Sequence, residues 1–355
     1  MTPAFWQGRR VFLTGHTGFK GGWLALWLRE LGAEVTGYAL APPTVPNLFA
    51  AARIDTMLNS VIGDIRDFTA IQRTMREARP QILFHLAAQP LVAEGYADPA
   101  GTYGTNVMGT VAVLEAARSC PDLESVVVVT TDKCYENRET LHCYRESDPL
   151  GGKDPYSSSK ACAELVTTAY RQSFFGAPDA PRLASARAGN VIGGGDWAEH
   201  RLLPDLLRAF GNGETATLRN PTAVRPWQHV LEPLYGYLRL AEQLCSDASL
   251  TRAWNFGPEL PDCVDAATVA ELTAQHWPQA AAWQSKASDF PHEAQLLRLD
   301  NSAAKQNLKW RPRWPLTEAI HHTVDWHQNW LRGADMQACS RQQIRQYAQT
   351  PPHTP

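Results

Sequence analysis

Short apolar runs alternate with longer amphipathic stretches through the first 190 residues. Arg10–Thr14 (RVFLT), Glu34–Leu40, Asn59–Gly63 and Gln81–Ala87 (QILFHLA) have strand length and β-forming content. Ser125–Thr131 (SVVVVTT) is almost continuously apolar, as expected of a parallel strand covered on both faces, and Arg182–Arg187 follows as a further strand. Gly22–Leu31, Phe68–Ala78, Asn106–Ser119 and Pro155–Phe175 lie between them and have helix length. Gly32 is placed to end the first helix, and Pro80 follows the second. Strands alternating with longer helices predict an α/β chain with a doubly wound parallel sheet.

After about Gly189 the texture changes to Gly-rich loops (VIGGGDW), Pro interruptions and scattered Trp and Arg. The expected organisation is a Rossmann-like domain over 1–187, to which the chain returns later, and a smaller C-terminal substrate-binding domain over 188–335. The Gln-rich segment 336–355, ending in TPPHTP, reads as a polar, frayed tail.

Composition narrows the function classes. Hydrophobic residues make up 44% of the 355 and charged residues 19%, ordinary for a globular protein with a sizeable core. A net charge of −3 argues against nucleic acid as partner. Seven cysteines without CxxC spacing read as free thiols of a reducing cytoplasm, not as a disulfide framework or metal site. The N-terminus lacks the apolar stretch of a signal peptide, and no segment has the apolar length of a membrane span.

Two constellations carry chemistry. Gly15, Gly18 and Gly21 form GxxGxxG between the first strand and its helix, where glycines allow a tight turn and close approach of a pyrophosphate to backbone N–H groups. Tyr156 and Lys160 stand four apart and so share a helix face; the lysine charge favours the phenolate, which can take a proton from an alcohol. Upstream, Thr131-Asp132-Lys133 closes the apolar strand, at the carboxyl edge where open α/β sheets bind ligands. A simple alcohol dehydrogenase has no need of that second acid and amine.

These stretches resemble the extended short-chain dehydrogenase/reductase family. GHTGFKG, GDIRD (63–67), HLAAQ (85–89), TNVMGT (105–110), TTDKCYEN, DPYSSSK, GNVIGGGDWA and RPWQHV carry the resemblance, from about residue 6 to 330. It implies NAD held by Gly15, Gly18, Phe19, Gly21, Asp64, Ile65, Leu86, Ala87, Ala88, Thr131, Tyr156 and Lys160, with Asp64 at the adenine. The second strand runs into Gly37–Thr44 without the acidic residue that usually holds the ribose of NAD, and without a cation for NADP. NAD is preferred, with modest affinity.

Within the family, Thr131-Asp132-Lys133 resembles the Thr-Asp-Glu of nucleotide-sugar 4,6-dehydratases, and the TDK variant resembles the branch acting on CDP-glucose. The resemblance implies Tyr156 as base for the C4 hydroxyl, Thr131 bonded to that oxygen and Asp132 as acid at C6. Lysine replaces the glutamate that would take the C5 proton, so Lys133 is either a base with a lowered pKa or a cation stabilising the enolate. His16, Lys20, Gln89, Asn190, Arg201, Arg219, Arg225 and Arg298 are the candidates for the nucleotide diphosphate sugar, with Arg225 suited to a phosphate clamp. No metal is expected. Family members pair through two helices per subunit, implying a homodimer or homotetramer through a four-helix bundle built from the helices at Asn106 and Pro155. A nucleotide-sugar 4-epimerase, a 4,6-dehydratase for dTDP- or GDP-sugars, and an inactive NAD-sensing scaffold are the competing readings.

Overall fold

A computed structural model describes residues 2–177, 179–286 and 294–353. Seven parallel strands form the main sheet: β1 (Arg10–Thr14), β2 (Glu34–Ala39), β3 (Asn59–Ile62), β4 (Ile82–His85), β5 (Ser125–Val129), β6 (Arg182–Ala188) and β10 (Ala253–Phe256). Their spatial order is β10-β6-β5-β4-β1-β2-β3. The order reverses beside β1, so the crevice at the carboxyl ends of β1 and β4 is the switch point where such sheets bind ligands. β5 is buried at all five positions, which explains its unbroken valine run.

Helices Phe19–Glu30, Phe68–Ala78, Gly109–Ala117 and Pro155–Ser173 cover the sheet. Phe19–Glu30 carries a buried run from Gly21 to Leu28, and Gly32 follows with φ +83°, a left-handed residue that ends the helix. The helix expected at Asn106 begins at Gly109; the chain before it, Gly104–Met108, is wound as a π-turn around buried Asn106.

Beyond β6 the chain builds a second layer. β7 (Asn190–Ile192), β9 (Val224–His229) and β11 (Cys263–Asp265) form a three-stranded sheet, and β8 (Ala216–Leu218) pairs with β12 (Trp283–Ser285). Helices Leu202–Gly211, Ala266–His276 and Leu316–Leu331 enclose a separate apolar core there with Leu206, Phe210, Val269, Trp277 and Ile320. β10 carries the chain back to the main sheet beside β6.

The expected frayed tail is corrected. Asp335 caps a helix over Met336–Gln349, whose buried face is Met336, Ser340, Gln343, Ile344 and Tyr347. Arg341 and Arg345 both pair with Glu30 on the helix that follows β1. Polar composition concealed an apolar stripe of helical period.

Candidate active site

The glycine turn follows from sterics. Gly15 has φ +83°, and a Cβ there would lie 2.8 Å from the Ala87 nitrogen; one on Gly21 would lie 2.0 Å from the Gly15 carbonyl oxygen. Gly18, by contrast, would meet only that carbonyl, at 3.4 Å, and stands as the N-cap of Phe19–Glu30 with its side open. The Thr14 hydroxyl accepts from the N–H groups of Leu86 and Ala87, both at 3.1 Å, and joins the ends of β1 and β4. Since Thr14 accepts twice it donates to His85 Nδ1 (2.8 Å), which leaves Nε2–H to donate to Thr110 (3.1 Å). Burial holds His85 neutral, its pKa pushed down to about 3.

A cavity of about 890 Å³ runs from this turn across the switch point. Its wall includes Gly15, Gly18, Phe19, Lys20, Gly21, Asp64, Ile65, Leu86, Ala87 and Ala88 at one end. Thr131, Asp132, Lys133, Tyr156 and Lys160 lie in its middle, and Asn190, Arg201, Arg219 and Arg225 on the second layer. Thus the structure gathers nineteen sequence-predicted positions around one space. The chain after β2 contributes Leu40, Ala41 and Pro43, apolar where a carboxylate was missing from the sequence. Asp64 is held by Arg66 through three side-chain contacts of 2.6–3.1 Å.

His16, Gln89 and Arg298 are not among the lining residues. His16 is fully buried beneath the turn, where Nε2 bonds Ser60 at 2.7 Å and the ring fills the space a Gly37 side chain would need. Burial lowers its pKa to about 4, so it packs as a neutral ring. Gln89 spends its amide on the Leu91 N–H and the Thr102 hydroxyl, fixing the loop that follows β4. Arg298 lies beside the bridge between Tyr144 and Leu299, and its carbonyl accepts from the Tyr144 N–H at 2.9 Å.

The chemistry gathers at the end of β5. Thr131 caps a single 3-10 turn, Asp132–Cys134: its hydroxyl accepts from the Lys133 N–H (3.3 Å) and donates to Asp132 Oδ1 (2.9 Å). Asp132 is 1% exposed, and Oδ2 has no hydrogen-bond partner among the described residues. Burial raises its pKa, against the pull of Lys133, the Thr131 hydroxyl, Arg225 and Lys20. A carboxyl in that state can be protonated and aimed at a leaving oxygen.

Asp154 caps the helix that presents Tyr156 and Lys160. Burial pushes the Tyr156 phenol up to about 12, while a hydrogen bond with Thr131 pulls it back. Burial lowers Lys160 to about 8, opposed by Glu164. Lys133 Nζ stands 6.0 Å from the Tyr156 ring centroid. Lys20, half-buried beside Lys160 and Arg201, is lowered by burial to about 7, and its amine lies 3.5 Å from the Tyr237 hydroxyl. Arg201 pairs with Asp196 at 2.8 Å. Arg219 donates to the His200 carbonyl at 2.9 Å, and Arg225 to the Val224 carbonyl at 2.9 Å.

Reading the sequence alone missed Asp196 and Glu164. Asp196 lies in GGGDW, where only the fold shows that Arg201 turns back to it. Glu164 could have been found, because it continues the four-residue spacing of Tyr156 and Lys160.

A doubly wound sheet with a glycine turn at β1 and a Thr/Tyr/Lys set beyond β5 defines an extended short-chain dehydrogenase/reductase. The GDP-mannose 4,6 dehydratase family matches residues 12–323, and the chain belongs to that family. It is 51% identical to the CDP-glucose 4,6-dehydratase of Salmonella typhimurium over 348 residues, 97% of each chain. Among solved structures, a UDP-glucose-4-epimerase from Stenotrophomonas maltophila with bound NAD superposes with a TM-score of 0.79 at 20% identity, covering 92% of this chain and 100% of that one. A double mutant of DesIV, a dTDP-glucose 4,6-dehydratase from Streptomyces venezuelae, with NAD bound gives 0.77 at 21% identity, covering 92% and 99%. Epimerase and dehydratase share the fold, so the site must separate them.

Proposed function

We propose that the chain is an NAD-dependent hydro-lyase converting CDP-glucose to CDP-4-keto-6-deoxyglucose. The observation that carries the reading is Asp132, a buried carboxyl with one oxygen unspent, in the same cavity as Tyr156 and Lys160. A 4-epimerase has no step for that acid. The 51% identity to the Salmonella typhimurium enzyme supports cytosine as the base.

The cradle fits NAD: its glycines admit no Cβ at Gly15 or Gly21, and Gly18 leaves a helix N-terminus open to a phosphate. When bound, NAD supplies the acceptor that takes the C4 hydride and returns it to C6. The protein's residues move the protons. Tyr156 Oη takes the proton of the C4 hydroxyl, with Thr131 bonded to the same oxygen and Lys160 charged behind the phenol. The C4 ketone then acidifies C5, and Lys133 serves the C5 proton or the enolate that forms. Asp132 Oδ2 gives its proton to the C6 hydroxyl, which leaves as water, and C5 takes a proton back once hydride has returned to C6. Arg201, Arg219, Arg225, Lys20 and Asn190 hold the diphosphate and sugar, while Asp64 and Ile65 stand at the adenine end.

We further place this protein as a homo-oligomer. Met108 and Leu165 are each 59% exposed, on neighbouring segments that the resemblance assigns to a four-helix bundle. All seven cysteines are free thiols, in keeping with a reducing cytoplasm. Among the described residues no helix is long and apolar enough to cross a membrane.

Incubation with CDP-glucose and NAD, read by mass spectrometry, tests the reaction. Loss of one water without net accumulation of NADH is expected. An unchanged sugar mass with inverted C4 configuration would instead make the chain an epimerase, and turnover of only dTDP- or GDP-glucose would reassign the base.

A further inference from the structure

Tyr156, Lys160 and Glu164 recur every four residues along one helix, so they share a face. Glu164 is fully buried, lies behind the cavity wall and is spent on three donors. Its Oε1 accepts from Thr130 Oγ1 at 2.5 Å; its Oε2 accepts from Ser185 Oγ and Arg187 Nη2, each at 2.8 Å. Arg187 is buried as well, and donates to the Tyr135 hydroxyl at 2.8 Å. Tyr135 in turn donates to Asn255 Oδ1 at 2.6 Å. One carboxylate therefore ties the ends of β5 and β6 to the tyrosine helix and, through Arg187, to β10.

A buried carboxylate persists ionised only with a counter-charge and full hydrogen bonding, and Glu164 has both. Arg187 holds it below the usual carboxylate range despite its burial. Lys160 faces the opposite problem, because burial disfavours its charge. The titratable groups around it are Glu164 on its own helix, Cys134 from the turn after β5, Lys20 from the glycine-turn helix and His85 from β4. Burial keeps the Cys134 thiol neutral and His85 neutral, and Lys20 repels. Glu164 supplies the negative charge in this set.

We propose that Glu164 is a positioning residue of the reaction: held ionised by Arg187, it keeps Lys160 charged behind Tyr156 and fixes Thr130, and with it Thr131, at the end of β5. The proposal rests on the assignment of Lys160 to catalysis given above, and its test separates the two.

The test compares wild type with E164Q, and with E164M/R187M should E164Q not accumulate folded, since replacing a buried pair together is tolerated better than breaking it. Competitive acetylation of the apo protein across pH, read as Lys160 labelling by peptide mass, reports the amine without any turnover. Loss of Glu164 is expected to move the Lys160 titration to lower pH, with labelling at neutral pH rising about tenfold for every full pH step by which the curve moves. The alkaline limb of kcat should move with it, KM for the nucleotide sugar should stay within about twofold, and T130V should leave both titrations in place. An unmoved labelling curve, or a kcat loss equal at every pH, overturns the proposal and leaves Glu164 a scaffold residue. A labelling curve that moves while the kcat limb stays fixed upholds the coupling and removes Lys160 charge from the reaction instead.

Discussion

At the residue scale the site works by setting neighbouring groups to different protonation states. Asp132 and Tyr156 both hold their protons more tightly because they are buried, whereas Lys160 and Lys20 hold theirs less tightly for the same reason. Only the specific partners separate them: the Thr131 hydroxyl donates to Asp132, and Glu164 opposes the loss of charge on Lys160. Asp132→Asn keeps the shape and the Thr131 contact but cannot give a proton. We expect kcat to fall by about 100- to 10,000-fold, the usual worth of general acid catalysis. Because C4 oxidation precedes the step that needs Asp132, rapid-mixing fluorescence should show enzyme-bound NADH accumulating on addition of CDP-glucose. A variant that dehydrates at the wild-type rate would remove Asp132 from the acid role. Wild type and variant should melt together within a few degrees, since among the described residues Oδ2 has no hydrogen-bond partner whose loss could be felt.

At the element scale, the C-terminal helix shows how a distant segment is locked onto the nucleotide-binding half. Tyr347 donates to Glu232 Oε2 at 2.6 Å, and the Arg313 and Trp314 N–H groups donate to the same carboxylate at 2.8–3.1 Å. Burial pushes Glu232 up to about 7, against those hydrogen bonds and the Arg313 charge. The folded value thus lies above the ordinary one near 4.3, so the protein binds this proton more tightly than the unfolded chain. The resulting stabilisation is complete below the unfolded pKa and is lost as pH rises through about 7. Thermal melts between about pH 5.5 and pH 8 should therefore fall by several degrees more in wild type than in E232Q. Parallel curves would show that Glu232 stays ionised throughout.

That helix also marks where legibility ended. β5, the glycine turn and the Tyr156/Lys160 helix could be read because their patterns are local: a valine run, three glycines, a four-residue spacing. The tail read as frayed because its buried stripe mixes Ser340 and Gln343 with Ile344 and Tyr347, and those two polar residues meet Trp326 and His322 on the preceding helix, contacts that no local pattern shows. His16 and Gln89 misled for the converse reason. Their positions beside motif residues were right, but which way each side chain turns depends on Ser60 and Thr102 in separate elements.

At the scale of the whole molecule, one helix serves two surfaces. Pro155–Ser173 turns Tyr156, Lys160 and Glu164 inward, and Leu165, one residue beyond Glu164, lies 59% exposed on the outside. The neighbouring segment exposes Tyr103 and Met108 in the same way, and Phe174, also exposed, carries the Arg118 guanidinium 4.0 Å from its ring centroid. An apolar strip along two adjacent segments fits a second copy of the chain, related by a two-fold axis so that each strip meets its equivalent. Wild type should elute as a dimer or larger in size-exclusion chromatography with light scattering, and M108E/L165E as a monomer, because two carboxylates per subunit would be buried unpaired. Since the strip backs directly onto the catalytic face, the monomer should also lose activity, about tenfold or more if the helix loosens enough to misplace Tyr156. A wild-type chain that is monomeric at micromolar concentration and fully active would show that the tyrosine helix is held by its own subunit alone, through the bonds of Glu164 to Thr130 and of Asn106 to Ser159.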